Sequence, residues 1–165
     1  MKTSEELRKF LKSVEVLSLL PYDDSVGMVK GKPITKWVEG ATIGYGHLIA
    51  KNQWSRYKDG ITQEKAEELF GKDLAPFEKV VQESVRTTLT QTHFDALVML
   101  AYNIGVDAFS TSSVVKILNG KSTQYNTLEA AWKAWNKSRG LISTGLINRR
   151  QAEWDIWTKG VYKRW

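Results

Sequence analysis

Two carboxyl side chains near the start of the sequence have the types and the spacing for acid–base chemistry. Asp24 follows Glu15 nine positions later, after an apolar stretch and a proline. Hydrolysis of a glycosidic bond needs two such groups, one to protonate the leaving oxygen and one to activate water or to act as the nucleophile. Their separation, roughly 5 Å or roughly 6.5–9.5 Å, decides whether configuration is retained or inverted. Glu15 and Asp24 are therefore candidates for chemistry on a sugar bond.

Glu15 occurs in surroundings suited to a general acid. It lies at the predicted end of an amphipathic helix, between the apolar residues Val14 and Val16. Desolvation raises the pKa of a carboxylic acid, and a general acid must keep its proton near neutral pH. A solvated glutamate at a helix end is the commoner case, so the residues alone leave both interpretations open.

The second carboxylate is ambiguous at the level of the residues. Asp23 and Asp24 are adjacent, and either could be a purely structural turn residue. After a connecting stretch, Thr42 opens the run Thr-Ile-Gly-Tyr-Gly-His and supplies a hydroxyl. A threonine in a strand is more often simply a β-former.

The elements around these residues follow from hydrophobic spacing and turn signals. Thr3 and Glu6 form a predicted capping box for a helix over residues 4–16, and Pro21 is expected to end that helix. Short antiparallel strands are predicted at 26–29 and 41–45, joined by an excursion over 30–40.

The rest of the sequence is predicted to be helical. Thr62 caps a helix running towards Pro76, and a separate helix covers 77–84. Thr90 or Thr92 begins an apolar helix that Gly105 stops, and its continuous apolarity indicates burial on all sides. Further helices are expected at about 112–118, 127–138 and 148–159. The predicted fold class is α+β, with a small hairpin lobe and a mainly helical lobe.

Composition excludes several classes of site. The chain has 165 residues, no cysteine and two histidines far apart, so disulfides are excluded, no metal site is indicated and no cofactor is expected. The net charge of +6 favours an anionic partner or simply aids solubility. No apolar run approaches the length of a membrane span, so stable membrane insertion is not expected. The N-terminal residues do not resemble a secretory signal.

Several segments, in the same order along the chain, resemble the phage-type lysozymes of glycoside hydrolase family 24. They include the Glu-x8-Asp spacing, the Thr-Ile-Gly-Tyr-Gly-His block and the segments 60–73, 101–105 and 145–153. The resemblance implies a lysozyme-like two-lobed fold in one catalytic domain over 1–165. The small lobe would cover about 16–70 and the helical lobe about 1–15 and 71–165, with the cleft between them.

The resemblance also implies roles for individual residues. Glu15 would be the acid, and Asp24 with Thr42 would position the attacking water, which is the inverting arrangement. His47 and Asp73 would form a structural pair. Arg149, with Arg150 as the alternative, would reach the catalytic glutamate, although two basic residues opening a helix more often face solvent. The residues that align with positions lining the cleft and binding substrate are Leu48, Tyr102, Asn103 and Ser112.

The implied function is that of an endolysin, a muramidase that cleaves the β-1,4 bond between N-acetylmuramic acid and N-acetylglucosamine in peptidoglycan and lyses the host cell. The expected partner is peptidoglycan and not nucleic acid, the expected state is a monomer, and no cofactor is required. The protein would remain in the host cytoplasm until released and then act on the cell wall. The alternatives are a cell-wall-binding module with a relic cleft, a basic nucleic-acid-binding helical domain, and a bacterial toxin that uses the same catalytic domain.

Overall fold

The computed structural model describes residues 1–26 and 32–165. The chain divides into two compact units: a large unit of residues 1–11 and 75–165, and a small unit of residues 12–74. Helices and small antiparallel sheets occur together, so the predicted α+β class is confirmed. In the parts of the chain that the structure describes, no helix has the length and apolar character of a membrane span.

The first helix, α1, covers Glu5–Val14. Its N-terminus is capped by Ser4, whose Oγ accepts a hydrogen bond from the Leu7 amide at 3.1 Å. The predicted capping box at Thr3 was wrong, because Thr3 has another partner. Its amide and its hydroxyl both donate to Oε1 of the buried Glu78, at 2.9 and 2.7 Å.

The small unit contains an antiparallel sheet of three strands in the order β1-β2-β3. Pro21 does not end a helix as predicted but lies in the first strand. This strand is at the edge of the sheet, where a residue without an N–H need not cost a hydrogen bond between strands. The Pro21 carbonyl accepts a hydrogen bond from the Ile34 amide at 3.0 Å. The predicted strand at 26–29 is not found at Val26, which ends a 3₁₀ turn, and its other residues lie outside the described ones. The strands are β1 Ser18–Asp23, β2 Ala41–Gly44 and β3 His47–Leu48.

The core of the small unit forms on one face of β2. Ala41 and Ile43 are buried there against Ile49, Tyr57 and Leu69. The segment predicted as a connecting excursion supplies much of the remaining packing, through the partly buried side chains of Ile34, Trp37 and Val38. The Trp37 indole also donates to the Ile49 carbonyl at 2.8 Å. Residues 32–40 are therefore part of this core as well as a connection.

A single helix, α3, covers Gln63–Ser84 and follows the short helix α2, Trp54–Tyr57. Thr62 caps it as predicted, accepting a hydrogen bond from the Lys65 amide at 3.1 Å. The predicted break at Pro76 was wrong. Proline removes one backbone hydrogen bond from a helix interior, but apolar residues are buried on both sides of it along α3: Leu69, Phe70, Leu74, Val80 and Val81.

The large unit is organised around α4, Gln91–Ile104, whose residues 94–101 are all buried. Thr90 caps this helix and Gly105 ends it, as predicted. The buried carboxylate of Asp95 accepts hydrogen bonds from the Ser4 amide at 3.0 Å and from the Tyr162 hydroxyl at 2.6 Å. Segments distant in sequence thus meet on α4.

The later elements depart from prediction between residues 127 and 148. The helix expected to reach 138 ends at Lys133, and a two-residue turn with positive φ at Arg139 and Gly140 closes a small hairpin after it. The last helix begins at Thr144, one turn earlier than expected, and packs on α4. These elements are α5 Val106–Ser110, α6 Ser113–Leu118, α7 Leu128–Lys133, β4 Lys137–Ser138, β5 Leu141–Ile142 and α8 Thr144–Lys159.

Candidate active site

Glu15 is the first residue after α1 and lies in the short link to β1. Its side chain is neither fully buried nor fully exposed. The helix and the strand on either side fix its backbone at both ends, so a carboxyl is held at a defined point of the small unit. Asp24 begins the 3₁₀ turn at the other end of β1.

The structure distinguishes the two adjacent aspartates. One carboxylate oxygen of Asp23 accepts hydrogen bonds from the amide and the hydroxyl of Ser25, at 2.9 and 2.6 Å, so Asp23 stabilises a local turn. Asp24 is exposed, and its amide donates to the Gly40 carbonyl at 3.1 Å. Within residues 1–26 and 32–165, no group donates a hydrogen bond to the Asp24 carboxylate. Of the two aspartates, Asp23 is thus the one whose carboxylate is held by the local turn.

Thr42 lies in a row of side chains that crosses the sheet. Its cross-strand neighbours are Tyr22 on β1 and Leu48 on β3. Side chains alternate between the two faces of a strand, so this row faces away from the core face that carries Ala41 and Ile43. Thr42 and Tyr22 are 1% and 7% exposed, whereas Leu48 is 67% exposed. An apolar surface therefore adjoins a buried hydroxyl.

The hydroxyl of Thr42 has a fixed direction. Its Oγ1 lies 2.8 Å from the carbonyl oxygen of Gly40. A carbonyl only accepts, so the threonine proton is the one donated. The oxygen lone pairs of Thr42 remain to accept a hydrogen bond, for example from water.

Tyr22 is a further residue of the candidate site that was not predicted from the sequence. Burial, together with the charges of Asp24 and Glu15, raises the pKa of the Tyr22 phenol to about 12. The charges of both candidate carboxylates therefore influence this one hydroxyl. Its position on β1, two residues before Asp24, would have indicated it, had β1 been recognised.

The Gly-Tyr-Gly-His run attaches the sheet to α3. His47 Nδ1 lies 2.8 Å from Oδ2 of Asp73, which confirms the predicted pair. The Tyr45 hydroxyl donates to Glu67 at 3.1 Å. Glu67 also pairs with Lys12, and this hydrogen bond lowers the pKa of the Glu67 carboxyl. The turn after β2 and the neighbouring strand β3 are thus each held to α3 by a polar contact.

Other candidates belong to the large unit. Arg149, with Arg150 as the alternative, was expected to reach the catalytic glutamate; the two side chains are 6% and 1% exposed, although basic residues opening a helix more often face solvent. Arg150 pairs with the fully buried Glu153, with Nε to Oε2 at 2.7 Å, and donates to Asn103 Oδ1 at 2.7 Å. The Nε atom of Arg149 lies 3.6 Å from Glu153 Oε1. A pocket of about 350 Å³ adjoins this cluster, lined by Asn103, Ile104, Trp135, Lys137, Ser138, Leu146 and Arg150.

The remaining large-unit candidates have definite structural surroundings. Tyr102 is half-buried, and its ring packs edge-on against Phe77 with centroids 5.2 Å apart. Ser112 is buried and caps α6, accepting from the Val115 amide at 3.2 Å. Its hydroxyl can still donate, so a substrate contact stays a prediction.

The structure thus gathers Glu15, Asp24, Thr42 and Leu48 in the small unit, while Tyr102, Asn103, Ser112 and Arg149 belong to the large unit. Among the described ranges 1–26 and 32–165, no group of three or more histidine, aspartate or glutamate side chains could hold a metal ion. The small-unit candidates offer two carboxyl groups and a hydroxyl.

Known proteins give an independent comparison. The family model described as phage lysozyme matches residues 12–153. The chain is 34% identical over 163 residues to the endolysin of Bacillus phage PZA, which covers 99% of this chain and 57% of that protein. It is 35% identical over 145 residues to the endolysin of Salmonella phage P22, covering 87% of this chain and 88% of that protein.

A solved structure agrees with these matches. The endolysin from Escherichia coli O157:H7 phage FAHEc1 superposes with a TM-score of 0.73 at 30% identity, covering 99% of this chain and 98% of that chain. The chain spans little more than half the length of the Bacillus phage PZA and B103 endolysins, 57% and 56%. The family match extends over the candidate carboxylates, the threonine and the arginines alike, and the chain belongs to the phage lysozyme family.

Proposed function

We propose that this chain is a muramidase that hydrolyses the β-1,4 bond between N-acetylmuramic acid and N-acetylglucosamine in peptidoglycan. The observation that carries the proposal is that Glu15, Asp24 and Thr42 belong to one compact unit, in which Tyr22 is the cross-strand neighbour of Thr42 and is influenced by the charges of both carboxylates. Glu15 donates its proton to the leaving oxygen, and Asp24 accepts a proton from the attacking water.

Thr42 holds the same water in this mechanism. Its proton is donated to Gly40, so it accepts one hydrogen of the water while Asp24 accepts the other. A water held by two acceptors directs its lone pair away from them, towards the anomeric carbon. Attack by this water on the face opposite the leaving group gives inversion of configuration.

The substrate contacts in the proposal come from exposed or pocket-lining groups. Leu48 presents apolar surface beside Thr42, and Asn103 adjoins a pocket bordered by the positively charged Lys137 and Arg150. Tyr102, Ser112 and Arg149 complete the proposed substrate-binding set. The net charge of +6 favours attraction to anionic wall polymers. The protein acts as a monomer, after release from the host cytoplasm, on the cell wall.

The test is product analysis on purified peptidoglycan. Wild type, Glu15→Gln and Glu64→Gln are compared, because Glu64 is an exposed glutamate of the same unit. Muramic acid reducing ends from wild type and Glu64→Gln, but not from Glu15→Gln, support the proposal. The anomeric configuration of the first-formed product, followed by NMR, tests inversion. If no protein releases reducing ends but all sediment with the wall, the chain is a binding module and the proposal fails.

A further inference from the structure

One backbone carbonyl lies between two of the proposed catalytic residues. The oxygen of Gly40 accepts a hydrogen bond from the Asp24 amide at 3.1 Å and another from Thr42 Oγ1 at 2.8 Å. A carbonyl oxygen has two lone pairs and can accept both. The start of the Asp24 turn and the direction of the Thr42 hydroxyl are thus fixed by the same atom.

The position of this carbonyl depends on residue 40 being glycine. Gly40 has φ of +101°, a conformation that residues with a side chain rarely adopt. A Cβ at this position would lie 3.0 Å from the Asp23 Oδ1 atom and 3.2 Å from the Ser25 Cβ atom. That Asp23 oxygen is already held by two hydrogen bonds from Ser25. Neither neighbour can move without disturbing the turn in which Asp24 lies.

The Thr42 hydroxyl would behave differently without this acceptor. A threonine hydroxyl rotates to suit its surroundings, and it can donate as well as accept. If its proton were released from Gly40, it could be donated to the attacking water. That water would then turn a lone pair towards Thr42 and away from the substrate.

We propose that Gly40 is a positioning residue for hydrolysis, whose carbonyl sets the Thr42 hydroxyl as an acceptor and holds the Asp24 turn beside it. The inference rests on the proposed function, because it assigns Gly40 a part in that reaction. Gly40 touches no reacting atom. Its effect is transmitted by the two hydrogen bonds.

The test compares Gly40→Ala with Gly60→Ala. Gly60 lies in the same unit, has φ of +97°, and a Cβ there would lie 2.9 Å from the Leu19 carbonyl oxygen. Gly60→Ala therefore imposes at least as much strain and crowding as Gly40→Ala, but of the two glycines only Gly40 accepts from Asp24 and Thr42. The kinetic constants kcat and KM are measured on soluble peptidoglycan fragments, at a temperature where circular dichroism shows both variants folded.

For Gly40→Ala, kcat should fall about 100-fold with KM nearly unchanged, as expected for a misplaced reactive group. For Gly60→Ala, kcat should stay within about twofold of wild type, because no reacting group is displaced. In the Thr42→Val background, adding Gly40→Ala should cause less further loss than it does alone, since the part of its effect that passes through the Thr42 hydroxyl is already absent. Equal losses of kcat in the two glycine variants, or fully additive losses in the double variant, would overturn the proposal.

A backbone substitution covers the case in which Gly40→Ala does not fold. Replacing Ala41 by L-lactic acid turns the Gly40 carbonyl into an ester, a weaker acceptor, without adding a Cβ. It also removes the Ala41 N–H, which donates to the Val38 carbonyl at 3.0 Å. Replacement of Glu39 by its hydroxy acid, which weakens that same bond from the Val38 side, is the matched control. A lower kcat at unchanged KM supports the positioning role, and an unchanged kcat contradicts it. If the wild type releases no reducing ends, the proposed function fails. If the wild type is active but its kcat does not respond to the changes at Gly40, only the Gly40 proposal fails.

Discussion

The Nδ1 atom of His47 lies 2.8 Å from Oδ2 of Asp73, and this contact joins β3 to α3. The two side chains are 17% and 31% exposed, so the pair is shielded without being fully desolvated. The β3 strand adjoins the one that carries Thr42. The contact therefore supports the site without touching it.

His47→Asn should destabilise the fold and spare the chemistry. Removing a hydrogen bond to a charged partner costs about 1.5–3 kcal/mol. We expect a decrease of that order in the free energy of unfolding, measured by urea denaturation at pH 7, with kcat within about twofold of wild type. Asp73→Asn and the double variant His47→Asn/Asp73→Asn complete a double-mutant cycle. An unchanged melting temperature in both single variants would contradict the structural role.

The two adjacent aspartates should differ sharply in their effect on activity. Asp24→Asn should lower the rate of peptidoglycan hydrolysis by at least about 100-fold, because loss of a general base typically costs that much. Asp23→Asn should have little effect, because an amide oxygen can still accept from Ser25. The reverse order, measured as turbidity loss of cell walls, would assign the catalytic role to Asp23.

Tyr22 should contribute to a loss of stability at alkaline pH. Its phenol has a pKa of about 12 in the folded chain, against an ordinary 10.0. Between these values the unfolded chain releases the proton and the folded chain keeps it, so unfolding is favoured as pH rises. The contribution of Tyr22 to the free energy of unfolding is therefore complete below pH 10 and lost by pH 12. The difference in pKa between the folded and unfolded chain corresponds to at most about 3 kcal/mol of the free energy of unfolding.

The comparison with Tyr22→Phe isolates this effect, because the pKa values of Tyr45 and Tyr162 are also raised by burial and both residues remain. The free energy of unfolding is measured at pH 9 and at pH 11.5. The decrease between the two should be smaller in the variant. An identical decrease in the two proteins would indicate that Tyr22 does not keep its proton in the fold.

The Arg150–Glu153 pair should be far more costly to break than an exposed pair of the same helix. Arg150→Met leaves the fully buried Glu153 without its close cation, with a hydrogen bond from the Trp132 indole and the longer contact to Arg149. Loss of one partner of a buried ion pair costs about 3–5 kcal/mol. Lys159→Met removes the exposed Lys159–Asp155 pair and should change the melting temperature little. Similar melting temperatures for the two variants would contradict this assignment.

Local signals in the sequence were sufficient where an element is specified by its own residues. The central helix α4 was predicted correctly because Thr90 caps it and Gly105 ends it. The His47–Asp73 pair followed from the family resemblance, since no local rule joins residues that far apart. The choice between Asp23 and Asp24 needed coordinates, because both are turn carboxylates and only the bonds from Ser25 separate them.

Tertiary contacts explain where the predictions failed. Pro76 was expected to break a helix, but packing along α3 outweighs the loss of one backbone bond. Basic residues that open a helix more often face solvent, yet Glu153 lies one turn from Arg150 on the same helix and pairs with it in the interior. The Gly40 contact was inaccessible from sequence because it requires the register of β1 on β2, and β1 itself was interpreted as a helix end and a turn.

The packing of residues 32–40 constrains how this chain can change over evolutionary time. A connection between strands usually tolerates insertions and deletions, because its side chains face solvent. Here the connection supplies Ile34, Trp37 and Val38 to a core, so shortening it would leave a void beside β2. Loop length and core composition must therefore vary together among descendants of this sequence. Homologues with a shorter connection should carry bulkier residues at the core positions equivalent to Ala41 and Ile49.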